Sequence, residues 1–143
     1  MANPGAASTS TIHPSNLASN QAIRLLAVGV NVPISQTGDS SVTLPINNSS
    51  SYAVTNVVIT NANKDVAAGY LAIWTGPAGT GTEIVTNAAL TSNTSSAYVT
   101  RSTVVAGTLA TNLSAQTLYV KVGTAVAGGT VNIYVYGTDF STF

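Results

Sequence analysis

Charge is what this chain has least of. Four Lys or Arg, four Asp or Glu and a single His are scattered over 143 residues, and charged side chains make up 6% of the sequence. An ordinary soluble domain carries about 25%. Catalysis needs titratable groups brought together, so this composition argues against an enzyme. The basic residues Arg24, Lys64, Arg101 and Lys121 stand far apart. Phosphate neutralisation needs them clustered, which excludes a nucleic-acid binder. Cysteine is absent, which rules out disulfides and thiolate metal sites. No run approaches the ~18 consecutive apolar residues of a membrane helix. Residues 1–20 lack the basic start and apolar middle of a secretion signal, so no membrane partner is expected.

Short Val/Ile/Leu/Tyr runs set in Thr, Ser, Asn, Ala and Gly fill the space that charge leaves. The formal net charge is zero. Near-neutral proteins tend to associate, a liability for a free monomer and none for an assembled subunit. A chain of this length is expected to form one domain, large enough to bury a core without covalent staples.

Residues 1–22 show no period of 2 or 3.6 and carry Pro4 and Pro14. Such a segment buries too little apolar area to offset its ordering entropy. It reads as an extended N-terminal arm whose sparse anchors are Ile12, His13, Pro14 and Leu17. The arm either lies across a neighbouring subunit or folds back on its own domain as an extra edge strand. Residues 23–143 form the domain proper.

Within that domain the pattern is one of strands, over residues 23–30, 41–46, 51–60, 69–75, 82–86, 97–105, 116–122 and 130–136. Leu118, Val120 and Val122 alternate with Tyr119 and Lys121, and Val131, Ile133 and Val135 alternate with Asn132, Tyr134 and Tyr136. A period of two with one apolar face marks a half-buried strand. Pro45 places its strand at an edge or a bulge. The glycines at 76, 79 and 81 suit a hairpin loop, with no Lys-Ser/Thr after them to make a phosphate loop. Residues 125–129 are expected to join the last two strands as a loose hairpin. Helix is limited to a turn near residues 66–68 or 87–90. The fold class expected is all-β, an antiparallel β-sandwich of about eight strands, jelly-roll-like.

Candidate chemistry is thin. His13 has no carboxylate near it in sequence, as an oriented base would need. Asp39 and Asp65 read as turn residues, and Asn61, Asn63 and Asp65 alternate as oxygen ligands would, although Lys64 sits inside the run. A hydrolase would require two of Asp39, Asp65, Glu83 and Asp139 to converge. No cofactor and no metal are expected. Asn47, Asn48, Asn93 and Asn112 begin glycosylation sequons, as chance supplies in so Asn/Ser/Thr-rich a chain. The aromatics carry more weight. Tyr70 and Trp74 share one strand face, and Tyr134 and Tyr136 another; Phe140 and Phe143 close the chain. These rings are core, a protein interface, or a platform for sugars.

The stretch LYVKVGTAVAGGTVNIYVYGTDF, residues 118–140, resembles the terminal hairpin of small structural proteins of tailed bacteriophages, where an acidic residue and a hydrophobe, here Asp139 and Phe140, close the last strand. The Thr/Ala/Gly/Ser/Val bias is similar to that of such virion proteins. The resemblance implies a capsid decoration (cement) protein with a β-sandwich body. It would sit on the outer surface of the virion and bridge subunits of the major capsid protein, with self-association as a homotrimer. The alternative is a receptor- or glycan-binding module of a head fibre or tail, using Trp74 and Tyr70.

Overall fold

The computed structural model describes residues 23–141. Eight strands form in chain order: β1 (Ile23–Pro33), β2 (Gly38–Pro45), β3 (Tyr52–Thr60), β4 (Tyr70–Gly76), β5 (Thr80–Ala89), β6 (Val99–Ser102), β7 (Thr117–Thr124) and β8 (Thr130–Asp139). They build two four-stranded sheets, one ordered β1-β8-β3-β6 and the other β2-β7-β4-β5, and every pairing is antiparallel. The pairing is nested. First pairs with last (β1 with β8), then β2 with β7, β3 with β6, and β4 with β5. Only β4 to β5 stays within a sheet; every other connection crosses to the opposite one. A long hairpin rolled up in this way is a jelly roll.

The core lies between the sheets, where the strands of both turn inward a set of buried aliphatics. Leu26, Val54, Val57, Ile59, Val131, Ile133 and Val135 come from one sheet, and Leu44, Leu71, Ile73, Ile84, Val85, Leu118, Val120 and Val122 from the other. Burying each such side chain is worth roughly 1.5–3 kcal/mol. Tyr52 joins them fully buried, with its hydroxyl donating to the Ala115 carbonyl at 2.6 Å.

The edges carry their own protection. Strands β1 and β2 bound the sheets on one side. Strand β1 is broken by irregularities between Leu25 and Ala27 and between Gly29 and Val32, and β2 between Asp39 and Thr43. Each of the two ends in proline. Bulges and prolines deny a flat edge to stray strands. The edge position expected from Pro45 is the one observed. The β4–β5 hairpin turns at Pro77–Gly79 with positive φ at Ala78, Gly79 and Gly81, as the glycine spacing suggests.

Some expectations fail. Strands β7 and β8 do not form a hairpin; they lie in opposite sheets. Both carry an apolar face that must meet the core, and the rolled topology lets them do so from opposite sides. The 125–129 segment arches between the layers, held by bonds from Val126 N–H to the Ile34 carbonyl and from Ile34 N–H to the Gly129 carbonyl. Strand β5 runs longer than its apolar run and β6 much shorter. Val104, expected in β6, is a buried residue beyond that strand's end. The helical turn forms at neither expected place: α1 is Ala106–Leu109, whereas residues 87–89 belong to β5.

Candidate interaction faces

The arm residues Ile12, His13, Pro14 and Leu17, and the terminal Phe143, lie outside the described residues. The other aromatics singled out in the sequence, Tyr70, Trp74, Tyr134, Tyr136 and Phe140, are each exposed or half-buried. Tyr134 and Tyr136 are half-buried, set between the fully buried Ile133 and Val135 and the buried Gly137. They face away from the core on the outer surface of the β1-β8-β3-β6 sheet. Tyr70 is exposed and Trp74 half-buried on the outer surface of the other sheet. Phe140 is half-buried past the end of β8, its N–H bonded to the Ser51 carbonyl at 2.7 Å.

The outer face of the β1-β8-β3-β6 sheet is unusually apolar. Register sets Val28, Tyr134, Val58 and Arg101 in one row across all four strands, and Leu25, Tyr136 and Asn56 in another. Strand β1 adds Ile23 at 65% exposure and Val30 at 63%, and Val99 on β6 is also exposed. Within this face the Asn56 Oδ1 is shut off from solvent with no hydrogen-bond partner among the described residues. Beside it, along the open edge of β1, runs a groove of about 370 Å³ lined by Leu25, Ala27, Val28, Pro45, Ile46 and Asn47.

The other sheet presents a different surface. Trp74 stands in register with Glu83 on β5 and Tyr119 on β7, and Ala72 with Lys121. Small residues at 72 and 123 leave a depression of about 220 Å³ walled by Trp74, Glu83, Asn87 and Lys121. A Cβ at Gly123 would come within 1.9 Å of Asn87 Oδ1, so the bare glycine is what admits the Asn87 amide. The Trp74 Nε1–H is shielded from solvent and has no acceptor among the described residues.

The acids do separate jobs. Arg24 Nη1 lies 3.3 Å from Asp139 Oδ2 and also donates to the Asn47 carbonyl. Ser49 Oγ donates to Asp139 Oδ1 at 2.7 Å and Ser141 N–H to the same oxygen at 2.9 Å. This clamp fastens the β2–β3 crossing to the end of β8. Burial of Asp139 pushes its pKa up, but the hydrogen bonds from Ser49 and Ser141 and the Arg24 charge outweigh it and hold the carboxyl below its ordinary 3.8. The unfolded chain therefore takes up this proton first as pH falls. The contribution of Asp139 to stability is whole above about pH 4 and is lost as pH drops through its lowered pKa. Urea midpoints measured against pH should fall on acidification below about pH 4 by more in the parent protein than in Asp139→Asn.

Asp65 accepts the Ala67 N–H at 2.9 Å, the turn role expected of it. Asn63 is spent on the Gly128 carbonyl and the Thr130 N–H, and Lys64 on the Ala127 carbonyl. The alternating run 61–65 is thus a strap across the β7–β8 arch rather than a cation loop. Asp39 is in strand β2, opposite Lys121, rather than in a turn. Glu83 stands on the outer face of β5, apart from the Asp139 clamp. Among the described residues no group of three or more His, Cys, Asp or Glu is placed to hold a metal. No helix of the described residues is long and apolar enough to cross a membrane. Asn93 is fully buried, its amide donating to the Ile59 and Tyr98 carbonyls, so its sequon is closed to glycosylation in the folded protein. Comparison with family models, with curated proteins and with solved structures finds no match.

Proposed function

We propose that this chain is a structural virion protein, a decoration (cement) subunit on the outer surface of a tailed-bacteriophage capsid that bridges neighbouring subunits of the major capsid protein. The observation that carries the reading is the apolar outer face of the β1-β8-β3-β6 sheet, which no other described element covers, with the exposed Ile23, Leu25, Val28 and Val30 on its edge strand. Exposed apolar surface of this kind marks an interaction site. A surface almost without charge avoids the cost of burying ions in a contact, and its many hydroxyls and amides can exchange hydrogen bonds across one. The resemblance of residues 118–140 to phage structural proteins supplies the particle. In this reading the arm of one subunit, with Ile12 and Leu17 as anchors, lies across a neighbouring subunit. Copies associate as a homotrimer, and the role involves no turnover.

Co-sedimentation with capsids lacking the protein tests this. The full chain is expected to pellet with the shells. Val28→Lys, on an exposed strand position, should keep the fold and lose most of the binding. Deleting residues 1–20 should weaken attachment while the body stays folded. Undiminished pelleting by both variants would refute the proposal.

A further inference from the structure

We infer that the outer face of the β2-β7-β4-β5 sheet is a binding site for a single pyranose ring of a saccharide. The site is on the sheet opposite the assembly face, so it stands independently of the capsid reading.

Four observations lead there. First, the depression is made by sequence: Ala72 is small, and the bare Gly123 lets the Asn87 amide fold in as a wall, around a space of about 220 Å³. Second, its wall includes Trp74, with Tyr119 next to it in register. A sugar ring offers a face of C–H groups that packs on an indole, while its hydroxyl rim needs polar partners. Third, those partners are present in both senses. The Glu83 carboxylate accepts and the Asn87 amide donates and accepts; both residues line the depression, as does Lys121, whose ammonium lies toward the Gly79 turn. Adjacent hydroxyls on a ring ask for this mixture, and a few convergent polar groups around an apolar floor are what fix a small ligand's orientation. Fourth, the Trp74 Nε1–H is shut off from solvent, with no acceptor among the described residues, so the part of the half-buried indole that meets solvent is its apolar C–H surface, the kind on which a sugar ring packs. Other ligand classes fit less well. A phosphate would meet the Glu83 carboxylate, and an added peptide strand needs a free edge, whereas β4 and β7 are both interior to the sheet.

Trp74 is the only tryptophan in the chain, so its fluorescence reads this site and nothing else. The full-length protein is titrated with glucose, galactose, N-acetylglucosamine and their β-linked disaccharides. At least one is expected to give a saturable change in emission. Glu83→Gln and Asn87→Ala, both at non-core positions, should each raise the apparent Kd about tenfold, or 1.4 kcal/mol. Flat titrations across the whole panel would overturn the inference, as would a saturable change that both variants leave untouched. Capsid pelleting by Glu83→Gln should equal that of the parent protein, so failure of one proposal is distinguishable from failure of the other.

Discussion

Gly137→Val is expected to leave the chain unfolded. Gly137 is in β8, an interior strand with β1 on one side and β3 on the other. A Cβ at this position would be 2.1 Å from the Ala53 carbonyl oxygen and 2.6 Å from Leu26 Cδ1. The first of these is backbone, in a strand that cannot move without breaking its own ladder. Overpacking a core costs roughly 1–3 kcal/mol even where side chains can shift. Displacing a central strand adds to that, against a total stability of about 5–15 kcal/mol for a domain. Far-UV circular dichroism and a one-dimensional proton spectrum would show the loss directly. The control is Gly107→Ala in α1, where an added Cβ meets nothing within 4 Å. A glycine inside a helix costs roughly 0.5–1 kcal/mol relative to alanine, so that variant should be slightly more stable than the parent. A folded, fully stable Gly137→Val protein would mean that the β8–β3 approach is looser than described.

Tyr52→Ala should be the most damaging truncation of a single core side chain, at about 3–5 kcal/mol in urea denaturation. Tyr52 is among the largest fully buried side chains. Its backbone also exchanges two hydrogen bonds with Leu113, at 2.9 and 2.7 Å. The ring thus pins the segment leading into β7 against the start of β3. Tyr52→Phe separates ring from hydroxyl and should cost only about 1 kcal/mol, the worth of the bond to Ala115. The same hydroxyl gives a pH signature. Burial pushes its pKa up to about 12 from the usual 10.0. The unfolded chain therefore releases this proton more readily than the native state does. Stability from this group is complete below pH 10 and is lost as pH rises toward 12, at 1.36 kcal/mol for each unit of pKa difference. The parent protein should lose stability faster than Tyr52→Phe over that interval. Parallel curves for the two would show that the phenol is not buried as described.

Much of this architecture is legible in the residue pattern, for a physical reason. Each strand has one face against the core, so alternation such as Leu118, Val120 and Val122 against Tyr119 and Lys121 marks both the strand and its orientation. Other strands show as short apolar runs between turn residues, and of the edge or bulge that Pro45 suggests, β2 takes an edge. Boundaries are less visible. Asn87, Ala88 and Ala89 have little intrinsic β preference, yet they continue β5 because Tyr70 and Leu71 on β4 offer them a partner. Thr103 and Val104 have such a preference and still leave β6, because Val104 fills the core from the loop.

The β7–β8 connection departs from the local pattern for a different reason. Proximity in sequence suggested a hairpin, but the Ala/Gly linker is equally able to arch between layers, and strand order depends on contacts that no local pattern encodes. The sites were half visible. Trp74 and the outward tyrosines were identifiable from face alternation. The company they keep was not, because Glu83, Asn87 and Lys121 reach Trp74 through three strands and two registers. The Arg24–Asp139 clamp joins the two ends of the described chain, and nothing near either residue signals the other.

The nested wiring has a consequence for how the molecule is made. Because β1, among the described residues, has β8 as its sole neighbour within its sheet, Ile23 meets Thr138 only after every strand between them has been made. The apolar first strand must therefore wait in solution while β4 and β5, the one pair closed by a short turn, form early. Chains with such distant pairings fold slowly. The bulges and proline of β1 guard it during that wait, before β8 arrives to pair along its edge.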